Sequence, residues 1–505
     1  MQVTNINHSY SHPDHNFPLT VVIGGGPAGL TAAYQLAKHG VHSVTLEKGD
    51  RVGGISRTET YKDYRFDIGG HRFFTKVPQV QHLWYEVLGD EFIKVPRLSR
   101  IYYKSKFFSY PLEPLNAVSN LGILHSLLIL YSYFKVKVKP LPVEENFEQW
   151  VTNRFGERLY KTFFKSYTEK VWGIPCTQIR ADWAAQRIKG LSLKKAVINA
   201  VFGSNDTKTL IKEFDYPILG PGMMWERFQE KLNAHGSPVH LNTEVIKVER
   251  EGKRITRIIA KQGDKTLTLE GDQFINTMPV AALMHRLDPL PPENVLKAAR
   301  SLKYRDFLIV PIVVDQKDLF PDNWIYIHSP EFKVGRIQNF KNWSPAMVPD
   351  INKTCLGMEY FCSEGDDLWE MDNKDLIRLA SEEIVNLGLV DDIRKVEDGT
   401  VIRQKKAYPV YDGEYKEHLK VLQDYVSTFE NLQTVGRNGM HRYNNQDHSM
   451  LSALLAAENI MGANHDLWQV NTERSYHEDF VTDKKKKTLV SPSTKAKSIN
   501  SKVVV

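Results

Sequence analysis

Apolar runs and turns follow one another in a fixed order over residues 19–47. An apolar run Leu19–Ile23 leads into a glycine turn, then a segment carrying Leu30, Ala33 and Ala37, then a second apolar run Ser43–Glu47. Short continuous apolar runs read as buried strands, and spacings of three and four read as one face of a helix. The order therefore predicts a βαβ unit. Between Leu115 and Lys212 helix formers dominate and turn signals are few, most clearly in Phe147–Ser166 and Trp183–Ala200. This predicts a helical insertion whose first boundary lies near Pro111 or Pro114. Strand-like alternation returns in Val245–Glu249, Arg254–Ala260, Thr266–Leu269, Leu308–Asp315 and Trp324–His328, separated by polar turns, so the second half is expected to hold much antiparallel sheet. Near the end come a short strand Thr434–Gly436, a polar loop Arg437–His448 and an amphipathic helix from Ser449 to about Met461. No internal repeat is evident.

One apolar stretch, Leu121–Phe134, contains Leu127-Leu128-Ile129-Leu130 and is followed by Lys135, Lys137 and Lys139. It is shorter than the roughly 20 residues that a bilayer crossing needs. The expected structure is a helix buried in the helical insertion; the alternative is a surface patch that dips into lipid to reach a lipid-linked substrate. Residues Met1–Phe17 are polar and His-rich without an apolar core, which reads as a disordered leader rather than a secretory signal. After Phe480 the chain turns to Lys, Ser and Thr, and 481–505 is expected to be a disordered basic tail.

Charge narrows the partners. The chain has 66 Lys and Arg against 60 Asp and Glu, a formal net charge of +6, with lysines crowding Lys484–Lys487 and Lys495, Lys497 and Lys502. Without a basic face on the folded body, nucleic acid is excluded as a principal partner. Only Cys176, Cys355 and Cys362 occur, none in a CxxC pair, so neither a disulfide framework nor a metal site is suggested, and a cytoplasmic location is expected.

The glycine turn carries the first chemistry. Gly24, Gly26 and Gly29 fit G-x-G-x-x-G between a strand and a helix. The first glycine makes the tight turn, the second lets backbone approach a pyrophosphate, the third lets helix and strand pack closely, and the helix N-terminus adds partial positive charge. Glu47 falls at the end of the second strand, 23 positions after Gly24, where a carboxylate accepts hydrogen bonds from a ribose diol. The continuation Asp50-Arg51-Val52-Gly53-Gly54 resembles the FAD-binding signature of flavin oxidoreductases. Gly220-Pro221-Gly222 lacks a third glycine, so a second dinucleotide fold is disfavoured.

Further motifs are Phe66-Asp67-Ile68-Gly69-Gly70-His71, Ser109-Tyr110-Pro111, Lys170-Val171-Trp172-Gly173-Ile174-Pro175, Gly436-Arg437, Arg442-Tyr443 and Asn445-Gln446-Asp447-His448-Ser449. Through them the chain resembles, from about Leu19 to Met461, the UDP-galactopyranose mutase family, especially its eukaryotic-type members, within the amine-oxidase-like FAD superfamily. The resemblance implies an α/β (α+β) architecture: a discontinuous Rossmann-like FAD-binding domain (18–114, 213–290 and 400–470), an inserted helical substrate domain (115–212) and an antiparallel β-sheet substrate domain (291–399). It implies noncovalent FAD, with Gly24, Gly26, Gly29, Glu47, Arg51, Gly53, Gly54 and Gly70 around the cofactor. Arg437 would contact the pyrophosphate, Val245 the adenine region through its backbone, and Asn445, Gln446 and Ser449 the isoalloxazine surroundings. His71 would face the flavin. Arg187 and Arg336 match the family's two substrate-diphosphate arginines, and guanidinium suits that task because it is always charged and forks onto phosphate oxygens. Tyr326, Tyr408 and Tyr443 match tyrosines that hydrogen-bond the same diphosphate; Tyr110 and Trp172 match pocket residues.

The implied activity is isomerisation of a nucleotide sugar through reduced flavin, with a small-molecule substrate and no metal. The alternative is an FAD-dependent oxidase or desaturase of the amine-oxidase or protoporphyrinogen-oxidase type. Two departures bear on the nucleobase: Leu112-Glu113 follows Tyr110-Pro111 where uridine-binding members carry an aromatic and a glutamine, and Thr168 replaces an asparagine. A buried Glu113 beside an anionic substrate would be costly unless paired.

Overall fold

The computed structural model describes residues 3–5, 19–188 and 212–471. Thr20–Ile23, buried at every position, lies at the centre of a five-stranded parallel sheet in the order Val239–His240, Ser43–Leu46, Thr20–Ile23, Gln273–Asn276, Leu432–Thr434. Strands covered on both faces need continuous apolar runs, which is how Val21, Val22 and Ile23 read. One face is covered by the helix Pro27–Lys38 with Gly222–Ala234 and Gln446–Ile460. The other packs against an antiparallel sheet built on Thr243–Glu251, Arg254–Gln262 and Lys265–Glu270.

A third sheet of eight strands runs Val396–Gly399, Tyr304–Val314, Thr354–Cys362, Arg336–Asn339, Trp324–Ile327, Ser99–Tyr103, Lys106–Ser109, with Ile402–Pro409 also paired to Tyr304–Val314. Two of its strands, Ser99–Tyr103 and Lys106–Ser109, lie within the range 18–114 given to the nucleotide half. They pair instead with Trp324–Ile327, in parallel, and with each other. Sequence distance concealed this: the residue opposite Arg100 in the parallel register is Ile325. Ile402–Pro409, placed in the range 400–470, joins this sheet as well.

The insertion is helical: Pro114–Leu121, Ile123–Val138, Phe147–Phe155, Lys165–Trp172 and Ala181–Ile188. Its second helix corrects an expectation. Within Leu121–Phe134 only Ile129 is buried, while Ile123, Leu124, Leu127, Tyr131 and Phe134 are exposed. The helix docks closely enough at Gly156 that an added Cβ would meet the Tyr133 backbone nitrogen at 2.8 Å, and its opposite face has no neighbour among the described residues. A run that is apolar all round does not say which side is covered.

The leader expectation also changes in part, because Val3–Asn5 adds as a parallel strand to Lys265–Glu270. An edge strand with free N–H and C=O groups is a template for such addition. The remainder of the leader, the continuation of helix to Ala200 and the tail 481–505 lie outside the described residues.

Candidate active site

The glycine turn is fixed by contacts that allow no side chain. Gly24 has φ +103°, and a Cβ there would sit 2.1 Å from Thr277 Oγ1. At Gly29 a Cβ would fall 1.9 Å from the Gly24 carbonyl oxygen, so the helix lies directly on the strand end. Gly26 differs: its nearest neighbour would be Gly54 Cα at 3.9 Å, which leaves an open channel between two backbones. Glu47 closes the turn by accepting from Gly25 N and Gly49 N, each at 2.7 Å. Its carboxylate therefore stands at the carboxyl end of the parallel strands, where dinucleotides bind in doubly wound folds. Asn242 N and Thr243 N donate to the Gly49 and Glu47 carbonyls, each at 2.8 Å, and bring the strand containing Val245 alongside. The Val245 carbonyl accepts from Arg286 Nε at 2.8 Å. Arg51 is committed to carboxylates, 3.2 Å from Glu59 and 3.5 Å from Asp50. Gly53, with φ +101°, leads into the short turn Gly54–Ser56.

Beyond that turn lies a cavity of about 120 Å³. Its wall brings together Gly70, His71, Arg336, Tyr408, Arg437, Tyr443, Asn445 and Gln446 from the expected set. Gln446 joins the two halves, accepting from Ser56 Oγ at 3.1 Å and donating to the Arg72 carbonyl at 3.1 Å. The helix expected from Ser449 begins at Gln446, with Asn445 as N-cap; Asn445 N donates to His448 Nδ1 at 3.2 Å and Ser449 N to the Asn445 carbonyl at 3.0 Å. It is also less amphipathic than its sequence suggested, since 447–450, 452–454 and 456–457 are all buried. The positive end of this 15-residue helix thus opens onto the cavity at Asn445 and Gln446, one turn earlier than expected. Ser449 is buried within its first turns.

Arg336 is the best-anchored charge. Its Nε donates to Glu359 Oε2 at 2.5 Å, and the fully buried Glu359 also accepts from Gln338 Nε2 at 2.8 Å. Burial opposes the Arg336 charge, but Glu359 together with the surrounding Tyr408, Tyr167 and Tyr326 hydroxyls holds its pKa well above the ordinary value. Burial likewise pushes the Glu359 carboxyl up, against Arg336 and Gln338. The His71 Nδ1 atom is buried without a hydrogen-bond partner among the described residues, and burial, with Arg437 and Arg336 nearby, lowers the imidazole to about 3. His71 is therefore neutral. Arg437 is turned toward the cavity: its guanidinium lies 4.9 Å from the Tyr443 ring and 5.6 Å from the Tyr408 ring and donates to the Asn444 and Ala407 carbonyls. What its segment presents to the glycine turn is Gly436, where a Cβ would meet Ala28 Cβ at 3.0 Å.

Tyr408 and Tyr443 stack at 5.6 Å and 12°. Trp172, nearly buried, packs edge-on against Trp183 at 5.0 Å and near Tyr408 and Tyr443. Tyr326 meets Tyr110 at 5.1 Å and Tyr167 at 5.6 Å, farther out. Arg187 lies on the helix Ala181–Ile188, and its side chain lies outside the described residues. Glu113 is exposed, within 3.3 Å of Ser109 Oγ, so it is not a buried carboxylate facing an anion. Thr168 is buried.

Sequence reasoning missed Arg72, Phe74, Phe307, Gln404 and Asp447 in the cavity wall. Arg72 follows His71 directly, and that adjacency was the available signal; burial lowers its guanidinium to about 10, leaving it charged at neutrality. The lysine of the Lys-Val-Trp motif proves to be a strut. Lys170 Nζ donates to the Ile327, Ser329 and Val334 carbonyls at 3.0, 3.1 and 3.1 Å.

A family model for flavin-containing amine oxidoreductase matches residues 27–461. The chain belongs to that family. Its cofactor is FAD, and the glycine contacts, the open channel at Gly26 and the Glu47 carboxylate fit a dinucleotide. An L-amino-acid oxidase of Bungarus fasciatus is 24% identical over 326 residues, 58% of this chain and 56% of that protein. A coproporphyrinogen III oxidase of Mycobacterium leprae is 32% identical over 151 residues, 27% of this chain and 33% of that protein. The chain thus spans about half, or less, of the length of the curated relatives it matches. Among solved structures, reduced UDP-galactopyranose mutase superposes with a TM-score of 0.80 at 21% identity, covering 91% of this chain and 97% of that one. Putrescine oxidase bound to putrescine gives 0.57 at 16% identity, covering 92% and 100%. The fold is that of a mutase-like flavoprotein. Among the described residues no group of His, Cys, Asp and Glu is placed to hold a metal ion, and no helix is long and apolar enough to cross a membrane.

Proposed function

We propose that this FAD enzyme isomerises a nucleotide sugar, using flavin in its reduced state. The observation that carries the reading is the buried Arg336–Glu359 pair, which aims a permanently charged fork into a cavity that also holds Arg72 and Arg437. A guanidinium pinned at one edge by Glu359 keeps its remaining N–H groups in a fixed plane for phosphate oxygens. Tyr408, Tyr443 and Tyr326 offer hydroxyl donors to the same oxygens, and Arg187 is proposed as the second diphosphate arginine. Gln446 and the helix N-terminus behind it stabilise negative charge on the cofactor side of the cavity. Phe74 and Phe307 exclude water, and neutral His71 offers a hydrogen bond without adding charge. FAD, held noncovalently by Gly24–Gly29, Glu47 and Gly53–Gly54, supplies an electron-rich ring when reduced.

The same charges weigh against amine oxidation. Arg437 already occupies the neighbourhood of the stacked Tyr408 and Tyr443 rings, so a protonated amine entering the cavity meets three guanidiniums and, among the described residues that line it, the single carboxylate of Asp447. An anionic substrate meets the opposite field.

The test is to reduce the purified protein with dithionite and incubate it anaerobically with a panel of nucleotide sugars. Chromatographic appearance of a ring isomer supports the reading. Bleaching of oxidised flavin by amines or amino acids in air, with no isomer formed, would replace it with an oxidase.

A further inference from the structure

The helix pair Pro114–Leu121 and Ile123–Val138 presents an apolar face with no covering element among the described residues. Ile123, Leu124, Tyr131, Phe134 and Val138 are 73, 74, 67, 61 and 86% exposed, and Leu115 on the preceding helix is 75% exposed. Leu124, Leu127, Tyr131, Phe134 and Val138 recur three and four apart, so they form one stripe along the outer side of a helix about 24 Å long. Scattered exposed leucines are normal, but a contiguous stripe of this length marks a binding surface.

Charge says what the surface binds. From Lys104 to Val143 the sequence holds five lysines (Lys104, Lys106, Lys135, Lys137, Lys139) against the single Glu113, whereas Arg97 lies over the Tyr110 and Trp324 rings and Arg100 is paired with the buried Asp322. That is a local excess of four positive charges in a 505-residue chain whose formal net charge is +6. Lys135 and Lys139 are exposed at the C-terminal end of the stripe, where their stems can lie along apolar surface while the ammonium groups reach outward; Lys137 between them donates to the Asn153 carbonyl at 2.9 Å. A second copy of this face would bring like charge against like charge in a two-fold interface. The C-terminal 472–505 is basic as well, with eight Lys and Arg against four acids, and would be repelled in the same way. A negatively charged bilayer meets both requirements: hydrocarbon for the stripe and anionic headgroups for the lysines.

We infer that the helix pair is a docking surface for an anionic lipid bilayer, the stripe lying in the interface plane without crossing it. The attachment has a bearing on the cavity. Asn116 Oδ1 accepts from Ser109 N at 2.9 Å and Lys106 Nζ donates to the Asn120 carbonyl at 2.5 Å, which fixes Pro114–Leu121 on the strand Lys106–Ser109 that runs directly into Tyr110. Tyr110 in turn packs on Tyr326, so the docked face lies next to the aromatic outer part of the site. The inference rests on the surface alone and stands whether or not the substrate is a nucleotide sugar.

The experiment is flotation of the full-length, flavin-loaded protein with vesicles of phosphatidylcholine alone or with about one third phosphatidylglycerol. Binding to the anionic vesicles is expected, falling with added salt, with little on the neutral ones. Leu124→Glu/Leu127→Glu should lower the bound fraction at least tenfold, and Lys135→Glu/Lys139→Glu by about tenfold. Both sets of side chains are exposed, so flavin absorbance and melting temperature should match wild type and show that the variants fold. Equal recovery of wild type and both variants with the vesicles would overturn the proposal. So would absence of wild-type binding, including the case where sedimentation shows a dimer that Leu127→Glu splits.

Discussion

The region around the glycine turn and the region around Arg336 are specified in different ways. Around Gly24–Gly29 the determinants are absent side chains: three positions within six residues, each judged by what a single added carbon would strike. Around Arg336 they are present side chains, delivered from the loop after Asp67, from the strands Arg336–Asn339 and Ile402–Pro409, and from the segment Gly436–Gln446. A backbone device is local and reads directly from sequence. A charge device depends on which strands become neighbours, and only the fold supplies that.

This difference predicts unequal failures. Gly29→Ala should be the most damaging change, because its Cβ would overlap a backbone carbonyl at 1.9 Å that cannot rotate away. A loss of about 4 kcal/mol or more, with loss of bound flavin, is expected. Gly26→Ala has room in the fold, so its melting temperature without flavin should stay within a few degrees of wild type while FAD affinity falls at least tenfold, since the added methyl intrudes on the channel facing Gly54. Equal damage from both would mean that Gly26 serves packing rather than the cofactor. Flavin content by absorbance and thermal melts separate the two.

In the charge device the corresponding change is Arg336→Ala, which strands Glu359 in a fully buried site. Breaking one side of a buried pair costs about 3 kcal/mol. The loss should depend on pH with a definite sign. Without Arg336, burial alone raises the Glu359 pKa, so the acid is neutral and tolerated at low pH, and the penalty grows as pH rises above the unfolded carboxyl range. Arg336→Ala/Glu359→Gln should recover most of the stability, but not nucleotide-sugar binding. Recovery of binding in the double variant would remove Arg336 from the substrate.

Acid pH should act on both regions. Burial holds His71 and His328 at about 3 and His441 at about 4, each below the ordinary imidazole value. A lowered folded pKa favours the neutral form, so this stability is complete above about pH 6.5 and is lost as pH falls toward the folded values. Melting temperature should therefore decline steadily from pH 6.5 downward. His328→Phe keeps a ring against Tyr167, stacked at 4.5 Å, and should make the decline shallower. An unchanged slope would mean that carboxylates alone carry it.

How much of this was legible follows from the same contrast. Strand, turn, helix and acid from Thr20 to Glu47 could be read in order, because each signal lies within a few residues of its effect. The Arg336–Glu359 partnership could not, since the two sit on adjacent antiparallel strands in register with each other. The start of the helix Gln446–Ile460 was misplaced by a turn because its first residues are polar. Asn445 ahead of an acidic first turn was the available N-cap signal. Apolarity in Leu121–Phe134 was read as burial, and composition alone cannot distinguish a covered face from a bare one.

The smallest expected effect tests that last point at the edge of the site. Glu113 differs from the pattern of the resembled family, and a carboxylate lodged against a diphosphate would repel it by several kcal/mol. In the fold Glu113 is exposed at the start of Pro114–Leu121, with Ser109 Oγ 3.3 Å away and water on its other side. Exposed single charges contribute little, so Glu113→Gln should change stability and nucleotide-sugar affinity by less than about 0.5 kcal/mol. Calorimetric titration of the wild type and variant decides it. A tenfold gain in affinity would show that Glu113 turns toward the substrate on binding, and would then set the departure at Leu112-Glu113 inside the specificity pocket rather than beside it.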